Sequence, residues 1–343
     1  MSPSAEPTLS ALAPWLLEHV PGAGRPRRLV KFDAGQSNPT YRLETDVGVL
    51  VLRAKPPGPL LPSAHQVERE YRAMAALRRA GFPVPRVLAL ASDEDSPIGR
   101  AFYVMEHVAG RIFWDPALPE LGPQERAHVY DAMNATLAAL HRIDPAAVGL
   151  QDFGKPGNYF ARQFSRWSRQ YRAARLAPNA DMDRLSSWLE RHLPADDGQV
   201  ALVHGDWRLD NMIFDTAASR VVAVLDWELA TLGHPLADLA YQCMQWRLPH
   251  DAGMRGLGGL DRRALGLPTE GDYVARYLAR RGLDAVADWP FYIAFSFFRL
   301  AAILEGVVRR AHDGNASNPE TARRYARAIP ILARMGVEAA AEM

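Results

Sequence analysis

Over the first hundred positions apolar residues alternate or run together in short stretches, whereas over most of the remainder they recur at helical spacing. From Leu29 to Leu52 the pattern is strand-like. LVKFDAG ends in a glycine-containing turn, SNPTYRLET alternates, and GVLVLRAK is a β-branched apolar run closed by Pro56 and Pro57. The next stretch, SAHQVEREYRAMAALRRAGF, places Val67, Tyr71, Met74 and Leu77 on one face, with Ser63 as a cap and Gly81 as a stop, and predicts a helix. PVPRVLALASD and RAFYVMEHV, on either side of the turn DSPIG, predict two more strands. A small antiparallel sheet with one inserted helix follows.

Beyond Gly110 the period changes. Helices are predicted over ERAHVYDAMNATLAALHRI, 158–175, 182–193, 236–247, 270–283 and most of 289–340. Short strands are expected only around 200–203 and in NMIFD and VVAVLDW, which flank the turn TAASR. The expected class is α+β, with a sheet-rich small lobe over residues 1–108 and a larger, mainly helical lobe over 109–343. PPGPLLP and RGLGGLDRR are turn-rich loops rather than linkers, and no internal repeat is visible.

Composition narrows the classes. The 343 residues are 48% hydrophobic and 23% charged, enough for a full core. A formal net charge of +1 gives no electrostatic case for nucleic acid or an anionic membrane as partner. The single cysteine, Cys243, excludes an internal disulfide and a thiolate cluster and fits a reducing cytoplasm. The N-terminal MSPSAEPTLSALAPWLLEHV has no basic lead and is broken by Pro14, Glu18 and His19, so a surface helix is expected there, not a signal peptide. The apolar run 289–308 is broken by Arg299 and Glu305 and reads as a buried helix of a soluble protein, not a membrane span.

Against that background LVHGDWRLDNMIF (202–214) stands out, because polar groups are crowded between two apolar flanks. Asp206 and Asn211 lie five residues apart in an irregular stretch that lets both side chains converge. An aspartate can orient a hydroxyl and accept its proton, and an asparagine carbonyl can ligate Mg²⁺. Downstream, VVAVLDWE ends a buried strand at Asp226, a second hard-cation ligand. One base and two metal ligands form the set that phosphoryl transfer requires.

H-x-D-x-x-x-x-N followed by a strand ending in aspartate resembles the aminoglycoside phosphotransferase branch of the protein-kinase-like fold. The resemblance implies ATP and Mg²⁺ as cofactors and Asp206 as the catalytic base; Arg208, two positions on, either reaches the γ-phosphate or an anionic substrate as part of the catalytic group or is a solvated loop charge. The resemblance also implies Asn211 and Asp226 as metal ligands. The basic residue on the α/β-phosphates falls on Arg53, with Lys55 as the alternative, and its helical partner on Glu70. The family usually has lysine where this chain has Arg53. The nucleotide-covering loop falls on DAGQSNPTYRL, where Gln36, Ser37 and Asn38 offer hydrogen bonds but no G-x-G-x-x-G is present. The hinge falls near Met105 to Val108, with Glu106 and Val108 at the adenine through backbone groups. His204 and Asp238 are implied as braces of the catalytic loop, although Asp238 also suits a helix cap, and Glu228 is either a metal helper or an ion-pair partner.

GQSNPTYRL, GRAFYVMEHVAGRIFWD and LDWELATLGHPLADLA further resemble the kinase domain fused to some acyl-CoA dehydrogenases. That implies a hydroxyacyl-CoA, or a related hydroxy-acid derivative, as phosphate acceptor. The near-neutral charge of the large lobe and the basic stretch RQFSRWSRQYRAAR suit an anionic small molecule better than a polycationic aminoglycoside, the alternative acceptor. A catalytically silent kinase-like binding module is the reading from another class, and the intact Asp206, Asn211 and Asp226 argue against it. A metallohydrolase needs more histidines at close spacing than His192 and His234 supply. Phe113, Trp114, Trp167, Tyr171 and Trp207 are either a substrate wall or packing.

Overall fold

The structure is a computed structural model that describes residues 7–32, 38–58, 65–250, 255–313 and 319–343. Gln36, Ser37 and the proposed cap Ser63 lie outside the described residues. The chain divides into two compact units. One comprises residues 1–112, 146–150 and 211–230, and the other comprises 113–145, 151–210 and 231–343. The hairpin at 211–230, which the expected cut at 108 places with the second lobe, thus groups with the first unit.

In the first unit, strands β1 (Pro26–Lys31), β2 (Thr40–Thr45), β3 (Val49–Ala54), β4 (Val87–Ala91) and β5 (Phe102–Glu106) form one sheet in the order β1-β2-β3-β5-β4. Every pairing is antiparallel. Helix α1 (Leu9–His19) begins where the Thr8 hydroxyl accepts from the Ala11 N–H. It is not merely a surface helix. Its Leu12, Trp15 and Leu16 are buried in one cluster with Tyr41, Leu43, Leu52, Phe102 and Val104, and the Trp15 and Phe102 rings meet edge-on at 4.6 Å.

Helix α2 spans Val67–Arg79, shorter at its start than the pattern predicts. His65 has φ 57°, a left-handed conformation that cannot continue into a right-handed helix. Glu68 and Glu70 in the first turn and Arg78 and Arg79 in the last complement the helix dipole. The buried face carries Val67, Glu70, Ala73, Met74 and Leu77. A carboxylate on an otherwise apolar stripe demands a cationic partner.

The hairpin of the first unit pairs β7 (Met212–Phe214) with β8 (Val221–Val224), Met212 opposite Val224. This register leaves Asn211 and Leu225 facing each other at the open end, where the Leu225 N–H donates to the Asn211 carbonyl at 2.8 Å.

The second unit contains helices α3 (Pro123–Leu140), α4 (Tyr159–Ala174), α5 (Ala180–Arg191), α6 (Leu236–Arg247), α7 (Glu270–Arg281), α8 (Trp289–His312) and α9 (Pro319–Ala340). Local chemistry sets several ends. The Asn179 side chain accepts from Asp181 and Met182 at the start of α5, Thr269 caps α7, and Gly282 with φ 68° ends it. Helix α8 is long and apolar enough to cross a membrane, but 72% of its apolar window is buried inside the protein.

Strand β6 (Ala201–Val203) does not pair with β7, the strand that follows it in sequence. It pairs with β9 (Thr231–Gly233), three residues that pattern reading misses. Gly233 is required there, because a Cβ would meet Tyr159 at 2.5 Å and Val203 at 2.9 Å. Gly233→Ala is expected to cost about 1–3 kcal/mol by overpacking. A urea midpoint equal to the wild type would show that Tyr159 yields without cost.

Candidate active site

The polar residues singled out in sequence fall into two groups, one in each compact unit. The first is built around Arg53. Register Thr40↔Arg53↔Tyr103 fixes it across β2, β3 and β5, and its side chain is only 11% exposed. Its Nε lies 2.9 Å from Glu70 Oε2, close enough for an ion pair but not aligned as a hydrogen bond. Its Nη2 donates to Asp226 Oδ1 at 2.7 Å and approaches Glu228 at 3.7 Å, and its Nη1 donates to the Thr40 hydroxyl at 3.2 Å. Burial alone would lower the guanidinium pKa, but Glu70, Asp226, Tyr103 and Glu228 together raise it.

Glu70 is 1% exposed. It accepts from the Asn38 amide at 2.6 Å and from the Tyr103 hydroxyl at 3.2 Å, and Asn38 in turn contacts His65 Nδ1 at 2.9 Å. Burial pushes the Glu70 carboxyl up to about 7, against the pull of Arg53. The sequence-expected pair of Arg53 and Glu70 is therefore present, and Asn38 serves Glu70 in this structure.

Lys55 follows β3 and belongs to another cluster, with Glu68 at 2.6 Å and Asp93 at 2.8 Å. The two basic residues close in sequence thus have separate carboxylate partners. Glu106 ends β5. Its N–H donates to the Arg86 carbonyl and its carboxylate accepts from the Arg86 N–H, both at 2.9 Å. Val108 lies beyond the strand and is half-buried.

Asp226 has φ 63°, in the left-handed region that aspartate tolerates better than most side chains. The turn follows β8 directly, so the hairpin register brings Asp226 to the same end as Asn211, which is 9% exposed. An amide carbonyl and a carboxylate form a hard-oxygen donor pair of the kind Mg²⁺ uses, with water and phosphate completing its shell. Among the described residues no three or more His, Cys, Asp or Glu side chains cluster as a metal site, so the pair is not part of an all-protein cage.

The second group is the loop after β6, which carries His204, Asp206 and Arg208. Asp238, in the first turn of α6 and fully buried, accepts from the backbone N–H groups of His204 at 2.7 Å and Gly205 at 2.8 Å. Burial pushes its pKa up. The hydrogen bond and charge of His141, with His204 and the Gly205 N–H, outweigh that and hold it below the usual carboxylate range. His141 contacts Asp238 at 3.2 Å through Nε2 and the Tyr277 hydroxyl at 2.7 Å through Nδ1. Asp238 thus braces the loop from beneath. His204 is fully buried, and its Nδ1 accepts from the Asp206 N–H at 3.2 Å.

Three residues at this loop escape pattern reading. Arg299, 6% exposed, donates to the Gly205 carbonyl at 2.8 Å and stacks over Tyr241 at 5.4 Å and Trp167 at 5.8 Å. Tyr241, whose pKa is raised by burial and by the nearby Asp206 carboxylate, hydrogen-bonds Asp206. His141 reaches the loop only through Asp238. A charge inside the most apolar helical run was the available signal for Arg299, because a buried guanidinium needs a polar target.

Arg208 approaches Asp206 at 3.4 Å and pairs with Asp210 at 3.0 Å, with its side chain 40% exposed. Burial raises the Asp210 pKa, countered by Arg208 and reinforced by Asp206. Of the five aromatic residues considered as a substrate wall, Phe113, Trp167, Tyr171 and Trp207 are buried packing, and only Trp114 is exposed.

Comparison with known proteins gives the family and the fold. The model of the phosphotransferase enzyme family APH matches residues 28–277. A provisionally named aminoglycoside phosphotransferase from Ralstonia eutropha JMP134 is 45% identical and superposes with a TM-score of 0.87 over 98% of each chain. An aminoglycoside phosphotransferase solved with AMP-PNP and hygromycin B superposes at 0.61, covering 95% of this chain and 98% of its own. At 15% identity that likeness bears on the fold alone.

Among curated relatives, mouse acyl-CoA dehydrogenase family member 10 is 49% identical over 294 residues, 85% of this chain and 27% of its own length. Rat family member 11 is 42% identical over 335 residues, 96% of this chain and 43% of its own. The chain therefore spans less than half of either relative. With its α+β, protein-kinase-like architecture, the chain belongs to the APH phosphotransferase enzyme family and is a small-molecule phosphotransferase with a hydroxyl acceptor.

Proposed function

We propose that this phosphotransferase moves the γ-phosphate of ATP to a hydroxyl of a hydroxyacyl-CoA thioester or a related hydroxy-acid derivative. The observation that carries the acceptor class is the similarity of nearly the whole chain to segments of proteins named acyl-CoA dehydrogenase family members. Charge supports it. A polycationic aminoglycoside gains from an acidic surface, but the catalytic unit exposes the arginines of α4.

In this reading Asp206 orients the acceptor hydroxyl and takes its proton, with Asp238 and Arg299 holding the loop backbone and Tyr241 the carboxylate. Arg53, set by Glu70, steadies the non-transferring phosphates, and Arg208 offers charge to an anionic group beside Asp206. Asn211 and Asp226 would hold Mg²⁺, which neutralises charge on the phosphates when bound. Arg53 is preferred over its alternative Lys55, which Glu68 and Asp93 hold, and Glu106 and Val108 mark the adenine side. The reading places the protein in the cytoplasm, without nucleic acid or membrane as partner.

The test is ADP release from Mg²⁺–ATP against hydroxyacyl-CoA thioesters, their free acids, aminoglycosides and simple sugars, with Asp206→Asn as blank. Turnover confined to thioesters is expected. Turnover of aminoglycosides alone would overturn the acceptor assignment and leave the phosphotransferase chemistry standing.

A further inference from the structure

Helix α4 has two faces of different character. Phe160, Phe164, Trp167 and Tyr171 recur at helical spacing and are buried. The outward side carries Arg166, Arg169 and Arg172, all exposed, with Arg162 half-buried before them and exposed Arg175 just after the helix. There is no acidic residue anywhere in YFARQFSRWSRQYRAA. Neighbouring arginines lie three or four positions apart, the spacing at which like charges on a helix repel and destabilise it.

Some exposed arginines of this chain are neutralised locally, as Arg184 is by Asp181 and Arg220 by Asp215. Arg175 has Asp183 at 3.5 Å, and Arg162 donates to the carbonyls of Lys155 and Pro156. Among the described residues, no carboxylate pairs with Arg166, Arg169 or Arg172 by hydrogen bond or salt bridge. Arg166 lies instead over the Trp167 ring at 5.3 Å. A self-repelling ladder on a folded helix, in a chain of net charge +1, is an arrangement that helix stability disfavours and a polyanion would relieve.

The inner face of α4 gives this ladder its relation to the chemistry. Trp167 stacks under Arg299, whose Nη2 holds the carbonyl of Gly205, the residue before Asp206. The arginine face is therefore separated from the catalytic loop by one helix, on the order of 10 Å across, and one layer of side chains. A ligand that touches the arginines and reacts at Asp206 must be long, with its phosphates at the end remote from its hydroxyl. A CoA thioester has that layout, because a flexible pantetheine arm separates its three phosphates from the acyl chain. A compact sugar does not.

We propose that the exposed arginine face of α4, centred on Arg166, Arg169 and Arg172, binds the phosphates of the CoA portion of the acceptor. This rests on the acceptor class proposed above and adds the site that selects it. Binding there is electrostatic. It favours CoA over dephospho-CoA, which lacks one phosphate, and weakens steeply as salt is raised.

The test compares wild type, R166E/R169E/R172E and a control with the same charge change on α9, R323E/R324E/R334E, all at exposed positions. Affinity for CoA and for dephospho-CoA is measured by titration calorimetry, and KM for a hydroxyacyl-CoA is compared with KM for the matching free hydroxy acid. Far-UV circular dichroism and Mg²⁺–ATP affinity check that each variant is folded, and alanine replaces glutamate at the α4 positions if the triple variant is not. A CoA affinity and a thioester KM at least tenfold worse in the α4 variant alone, with the free-acid KM unmoved, are the expected results. Thioester turnover with equal KM in wild type and the α4 variant overturns the α4 site and leaves the acceptor class standing. Equal losses in the α4 and α9 variants reduce the effect to net charge and also overturn it. A wild type that neither binds CoA nor turns over any thioester overturns both readings.

Discussion

Asp206→Asn is expected to lower kcat by roughly 10²–10⁴-fold, the usual contribution of a positioned general base. The KM for ATP should change little, because the nucleotide is assigned to Arg53, Asn211 and Asp226. The loop itself should survive the change. Its backbone is held by Asp238 at the His204 and Gly205 N–H groups and by Arg299 at the Gly205 carbonyl, none of which requires the Asp206 carboxylate. Steady-state kinetics with the best acceptor, alongside a melting curve, checks this. A loss of kcat accompanied by a large drop in melting temperature would instead make Asp206 a structural residue.

Measured at a pH above the Glu70 value of about 7, where the carboxylate is ionised, Arg53→Ala is expected to destabilise the protein by about 3–5 kcal/mol, since it strands that buried charge without its cation. Glu70 remains between Asn38 and Tyr103, hydrogen-bonded but no longer paired. Adding Glu70→Gln should recover much of the loss, because a neutral amide of the same shape keeps the hydrogen bonding and removes the stranded charge. Urea unfolding of the two single variants and the double variant measures the coupling. If Glu70→Gln fails to relieve Arg53→Ala, the destabilisation comes from lost packing of the arginine stem.

The same pair fixes a pH dependence. The folded Glu70 carboxyl lies near 7 against an ordinary 4.5, so the folded state holds that proton more tightly than the unfolded chain does. Its contribution to stability is full below the unfolded value and is lost as pH rises through the folded one. Wild type should therefore lose stability relative to Glu70→Gln between pH 4.5 and about 7. Parallel stability curves across that window would mean that Arg53 keeps Glu70 ionised throughout.

Much of the fold is legible in the chain because its signals are local. The alternation in TYRLET and the apolar run VLVLRA give β2 and β3, and the spacing of Val67, Met74 and Leu77 gives α2. Where reading fails, the signal is not local. Strand β9 has three residues, too few to show a period, and exists because β6 supplies its partner from a distant part of the sequence. α1 looks like a surface helix until the sheet beneath it is present to bury Trp15.

The candidate site divides in the same way. By itself the sequence determined the identity and order of the groups: Arg53, Glu70, Asp206, Asn211 and Asp226 carry chemistry that packing does not call for at those places, and their spacing is preserved whatever the fold. Tertiary structure alone decided which groups share a partner. It separated Arg53 from Lys55, two residues away, because a strand end sends them to different carboxylates. It also brought Tyr241 to Asp206 and Arg299 to Gly205, across sequence separations that no local pattern spans. Hydrogen bonds and ion pairs act over a few ångströms of space, and only folding turns distance along the chain into that proximity.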